Sequence, residues 1–270
     1  MLSQNFASVK LAKYALTMSI ILIVGGCTPS TEHDTTPSTT APTAPPSVPN
    51  TMTAPGAEKQ TTLLSRTFIN PPAFNHPPVS EATIQAAKTA INNLPEPLRK
   101  RLDASNARVV ISPNMIDRWP DSVKDLPENN PAPTLAEQPG RIYGQDMCLY
   151  ERPKKRGTTD LGDARKPEYL QLQVGDMCYQ VLDDLDGEMT ISRDTELRRE
   201  WDEDKKNIPE DVQPKVANFM KLDDWGPRET CAELFGSMMG GRNENTENLY
   251  KYFPRVKQWL IKKLGITKEY

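Results

Sequence analysis

Imidazole, thiol and paired carboxylate groups carry most hydrolytic and metal chemistry, and this chain supplies them unevenly. It has only two histidines, His33 and His76, both in Pro-rich stretches. Two imidazoles one helical turn apart, the arrangement that shares one zinc ion, therefore cannot be built inside a folded domain. A Ser or Cys nucleophile would lack the same imidazole as its base, and no G-x-S-x-G, phosphate loop or paired C-x-x-C occurs. Carboxylates are abundant, but abundance specifies no geometry. Of the four cysteines, Cys27, Cys148, Cys178 and Cys231, the first is distinguished by its position. Lys10 and Lys13 precede an uncharged run at residues 14–24, which ends on Gly25 and Gly26 immediately before Cys27. A basic region, an apolar run and small residues before a cleavage point form a secretory signal. The run is about half the roughly 20 residues that a spanning helix needs, so residues 1–26 are expected to be removed.

The cysteine directly after Val24-Gly25-Gly26 resembles the lipobox read by lipoprotein signal peptidase. That resemblance implies cleavage before Cys27, a thioether to diacylglycerol on its sulfur, and a new amino terminus bearing fatty chains such as palmitate. Two or more buried chains, at about 0.8 kcal/mol per methylene, give stable anchoring. Thr28 rather than Asp follows the cysteine, a pattern resembling lipoproteins passed on to the outer membrane, here facing the periplasm. With Cys27 acylated, at most one disulfide can form among Cys148, Cys178 and Cys231. The envelope permits such a bond, and three reduced core cysteines fit the sequence at least as well.

Thr and Pro supply 18 of the 35 residues at 28–62, so this stretch lacks the apolar surface to offset its ordering entropy. Residues 27–62 read as a lipidated Cys and a tether, and residues 63–270 as one domain with a Pro-rich lead-in at 70–78, expected to lie extended along its surface. Lys plus Arg number 33 and Asp plus Glu 36, a formal charge of −3; no global field favours nucleic acid as a partner.

Within the domain, Ser80 caps a helix carrying Ile84, Ala87 and Ile91 at helical spacing. A second short helix starts near Leu94 and ends near Leu102. Residues 108–112 read as a buried strand, and residues 141–144 and 147–150 as a hairpin. Between them lie loops with Ile116, Trp119, Val123 and Leu126 as core contacts. Residues 169–185 form a helix with Leu172, Cys178, Tyr179 and Leu182 inward. Residues 183–204, with ten acidic side chains, read as a solvated face. Short helices are expected over 212–220 and 229–239, the latter stopped by Gly240 and Gly241, and a last helix starts at Pro254 with Val256, Trp259, Leu260 and Leu264 as its apolar stripe. The fold class is α+β.

This order of elements, with QVGDMCYQVLDDL on one helix and PRETCAELFGSMM on a later one, resembles the lethal-factor-like zinc metallopeptidase domain, a thermolysin-type fold. The resemblance spans roughly residues 80–265 and is sharp over about 25 of them. It implies a small mixed sheet packed with helices. In that family the first helix carries H-E-x-x-H-x-x-D and the second a glutamate ligand within E-x-x-A-E-x-F. Glu229, Ala232, Glu233 and Phe235 stand in the second pattern. Aligned on Asp183, the first departs: Asp176 and Gln180 replace the two histidines and Met177 the catalytic glutamate, while Glu229 keeps the third ligand's place. The resemblance thus implies a metallopeptidase domain without its metal site, cofactor or catalytic residues. Asp176, Gln180, Asp183 and Glu229 could hold a hard cation through oxygen, or hydrogen-bond one another, with repulsion raising a carboxylate pKa.

The expected function is accordingly a non-catalytic outer-membrane lipoprotein, bound to the membrane through Cys27 and to other envelope proteins. It would act as a subunit of an envelope-spanning assembly such as the outer-membrane complex of a type IV secretion system. Two alternatives stand beside it: a groove holding peptide or peptidoglycan without cutting it, and a divergent cation-dependent hydrolase.

Overall fold

The computed structural model describes residues 61–125 and 134–270. The signal, Cys27, His33, all of the tether but Thr61 and Thr62, and Leu126 lie outside the described residues. Near the start of the described residues Leu63 is fully buried, and its N–H is taken by Asp103. Among the described residues are four strands and eight α-helices: β1 (Thr67–Ile69), α1 (Glu81–Asn93), α2 (Glu96–Ala104), β2 (Arg108–Ser112), α3 (Met115–Arg118), β3 (Gly140–Tyr143), β4 (Asp146–Tyr150), α4 (Pro167–Asp184), α5 (Thr195–Lys205), α6 (Trp225–Met238), α7 (Thr246–Tyr252) and α8 (Pro254–Leu264). This is an α+β fold.

The sheet order is β1-β2-β4-β3. β1 and β4 flank β2 in parallel, with Val110 opposite Cys148, and β3 returns antiparallel on β4, with Ile142 opposite Met147. Successive strand residues point to opposite faces, so Val109, Ile111, Met147 and Leu149 join the main core under the helices. Val110, Cys148 and Tyr150 meet Met115, Ile116 and Ala136 on the other face, with Trp119 and Val123 against them. The helical layer centres on α4, which packs against α1 and α6.

α1 starts where Ser80 Oγ accepts the Thr83 N–H. Behind that cap sits Glu151, fully buried just after β4; its Oε1 accepts from Ser80 N–H at 2.9 Å, from Ser80 Oγ and from Thr83 Oγ1 at 2.7 Å. Burial alone would raise its pKa, but the Ser80 and Thr83 hydrogen bonds and the Arg152 charge hold it lowered. Glu151→Ala leaves three donors at a helix start unpaired and is expected to cost about 3 kcal/mol. Glu151→Gln, which keeps one acceptor, should cost less; chemical denaturation of the two variants measures the difference.

Four sequence expectations change. Residues 212–220 form two 3-10 turns, Gln213–Lys215 and Ala217–Met220, because Pro214 has no N–H and disfavours helical geometry before it. The acidic stretch is no uniform solvated face. Part of it is α5, capped by Asp194, and Asp204 is buried with its carboxylate on the Arg255 and Val256 N–H groups that open α8. The lead-in turns rather than lying extended, with Phe74 and Asn75 at φ 52° and 58°. β1 and α7 are elements that the sequence did not announce.

Cys148, Cys178 and Cys231 are free thiols, all buried, with burial raising the pKa of each, Cys148 to about 11 and Cys178 to about 12. They pack as core residues, not as nucleophiles.

Candidate functional site

α4 is the element that positions the site. Pro167 opens it, and it is buried almost all round by Leu170, Leu172, Val174, Cys178, Val181 and Leu182. One side faces α6; another faces β3. The two sides do different things.

Toward α6, Gln180 Nε2 donates to Asp176 Oδ1 at 2.6 Å. Asp176 is 6% exposed. Its pKa is raised well above the usual carboxylate range, first by burial and then by the Glu229 and Glu233 carboxylates. Burial also raises Glu229, against the Lys221 and Arg228 charges. Glu233 is pushed up to about 7 by burial and the Glu229 charge, although Asn243 donates to it. Asp176 and Glu233 are buried and Glu229 half-buried, and the Glu229 charge helps to raise the other two. Glu233 was visible in the sequence only as part of a matched pattern; the signal for its membership is its i+4 spacing from Glu229, which puts both on one helical face.

Asp183 does not join them. Its Oδ1 accepts the Ile191 and Ser192 N–H groups at 2.7 and 2.8 Å, and its Oδ2 accepts from Ser192 Oγ at 2.6 Å. That side chain caps the turn after α4. Arg228 Nε stands 3.9 Å from it, but Arg228 is committed to Asp184 at 2.7 Å.

These groups do not fit a zinc ion. The two α4 donors are bonded to each other, no imidazole is near, and Met177 offers a thioether where water activation requires a base. His76 is engaged elsewhere, with Asp117 and the Thr159 carbonyl. Among the described residues no group of three or more His, Cys, Asp and Glu is arranged to hold a metal.

Toward β3 lies a groove of about 710 Å³, lined by Arg141 and Ile142 of β3, Met177 and Gln180 of α4, and Trp225 and Arg228 of α6. β3 is the last strand of the sheet, so one rim of the groove carries strand backbone without a strand partner among the described residues. Trp225 is 48% exposed, an aromatic surface at the opposite wall. Sequence reasoning reached Met177 and Gln180 but neither the strand edge nor Trp225, since both become groove walls only when β3 is laid beside α4. Among the described residues no helix is long and apolar enough to cross a membrane.

The buried carboxylates predict a pH dependence. A carboxylate whose folded pKa is raised takes up a proton on folding, so its favourable contribution is complete below the unfolded value, about pH 4, and is lost as pH rises through the folded one. Asp176, Glu229, Glu233 at about 7 and Asp204 at about 6 all act in this direction. The melting temperature should therefore fall between about pH 5 and about pH 8. Asp176→Asn and Glu233→Gln should each flatten that fall; calorimetry across the range checks the slope.

The elements and the groove define an α+β domain with a cleft between a free sheet edge and a central helix. No family model matches the chain, and no curated protein sequence does. Among solved structures, a Pro-Pro endopeptidase from Paenibacillus alvei is similar at 14% identity, covering 75% of this chain and 100% of its own, with a TM-score of 0.45.

Proposed function

We propose that the chain is a lipid-anchored, non-hydrolytic interaction subunit of an envelope-spanning assembly, and that the groove between β3 and α4 seats an extended segment of a partner protein. The outer-membrane complex of a type IV secretion system is one assembly of this kind. The observation that carries the reading is the composition of the groove around a free strand edge. A peptide laid along β3 would find unpaired main-chain groups on one side, the mode by which strands are added to sheet edges. On the other side it would meet Met177, Gln180 and Trp225. A thioether and an amide can contact a peptide but cannot activate water against it. The carboxylates that line the groove, Asp184 and Glu188, are paired with Arg228 and Arg193, which favours holding a segment over cutting it.

The test places a photo-crosslinking residue at Gln145, on the groove rim, in the full chain in intact cells. A discrete adduct with an envelope protein is expected, and Trp225→Ala should weaken it about tenfold, as loss of an interface aromatic does. Three results would overturn the reading: no adduct, adducts formed only with cell wall, and peptide hydrolysis by the purified chain that Glu229→Ala abolishes.

A further inference from the structure

The lead-in at residues 70–79 joins β1 to α1, and one side chain within it is gripped from both sides. The left-handed turn at Phe74 and Asn75 swings the next residue inward, leaving the His76 side chain 7% exposed. Its Nδ1 lies 2.8 Å from Oδ1 of Asp117 on α3, and its Nε2 lies 2.8 Å from the Thr159 carbonyl in the loop after β4. The Ala73 N–H donates to the same Asp117 Oδ1 at 2.6 Å, which marks that oxygen as an acceptor. A carbonyl oxygen can only accept. Both ring nitrogens therefore face acceptors, and only the doubly protonated imidazolium donates to both. A neutral ring would turn a lone pair on the carboxylate or on the carbonyl.

The geometry points to a proton-held clasp: His76, as the imidazolium, pins the lead-in to α3 and to the loop after β4, and loss of one ring proton frees residues 70–79. The charge is matched locally. The Asp117 side chain is completely buried, and its Oδ2 has no hydrogen-bond partner, so the ring is the cation that offsets it. Other charges nearby are spent elsewhere. Arg118, next on α3, is bound to Asp146 and Cys148. In the loop, Arg152 pairs with Glu151 and Lys154 donates to the Lys155 carbonyl. Thr159 presents its carbonyl, and the lead-in itself adds the Phe74 ring, 5.6 Å away.

The clasp holds while both ring nitrogens carry protons to donate and opens when one of them is lost.

Hydrogen exchange on the full chain at about pH 5.5 and about pH 8.5, normalised for intrinsic rates, tests the clasp whether or not Cys27 is acylated. The Ala73 and His76 amides, which donate to Asp117 and to the Ala73 carbonyl, should lose about tenfold protection at the higher pH, as expected when a charge-assisted bond is lost. Amides of α1 and α4 report the global change of stability with pH, against which the change at Ala73 and His76 is read. His76→Gln should be weakly protected at both values. Equal protection of the unaltered chain at both, or undiminished protection in His76→Gln, would overturn the proposal. Ring nitrogen chemical shifts in the unaltered protein give an independent reading: two protonated nitrogens in the protected state support the clasp, and a neutral ring there refutes it.

Discussion

Gly236→Ala is expected to lower the melting temperature by roughly 6–12 °C, the equivalent of ~3 kcal/mol in a domain of this size. α4 and α6 cross where Gly175 and Gly236 face each other. A methyl group on Gly236 would stand 2.5 Å from the Leu172 carbonyl oxygen and 3.0 Å from the Asp176 nitrogen, and one on Gly175 would stand 2.7 Å from Gly236 Cα. All of these obstacles are backbone, so no rotamer change relieves them; the helices must move apart. Separation would expose the carboxylates of Asp176, Glu229 and Glu233 to water and bring their pKa values down toward ordinary values. The variant should therefore lose stability and also lose part of the pH dependence described above. Thermal melts at two pH values measure both effects, and a variant melting within about 2 °C of the parent would show that the helices do not cross so closely.

Cys27→Ser is expected to abolish fatty-acyl labelling and to move the protein out of the detergent phase on phase separation. The thioether to diacylglycerol requires sulfur, and each lost chain removes more than ten methylenes at about 0.8 kcal/mol apiece from the membrane. No partial phenotype is expected, because serine offers the processing step no substitute for the thiol. The domain at residues 63–270 should keep its melting temperature, since the core residues from Leu63 onward are unaltered. Acyl label persisting on the serine variant would refute anchoring at this position, and with it the membrane half of the proposed function.

The sequence was most legible where one local signal sufficed. Ser80 before Ile84, Ala87 and Ile91 located α1; the β-branched run from Val109 to Ile111 located β2; Pro254 ahead of Val256, Trp259 and Leu260 located α8. β1 escaped because its three residues leave Phe68 and Ile69 half exposed, so only pairing with β2 makes them a strand. α5 escaped because its charge resembled a solvated loop, although Leu197 and Trp201 fill the core from one side of it.

The site divides in the same way. Composition alone decided the poverty in imidazole, and with it the exclusion of a two-histidine zinc site from the domain, because no folding can supply a side chain that the sequence lacks. The basic, apolar and small-residue order that ends at Cys27, on which the proposed lipid anchoring rests, is likewise read along the chain. Which carboxylates gather was a tertiary matter. Asp176 and Asp183 share a helical face by spacing, yet the Ile191 and Ser192 amides capture Asp183, while the α4–α6 crossing at Gly175 and Gly236 delivers Glu229 and Glu233 to Asp176. The groove is tertiary too, since β3 and α4 become its walls only when packed side by side. Residue type sets what chemistry is available; long-range packing sets which groups are buried together, and burial is what shifts their protons.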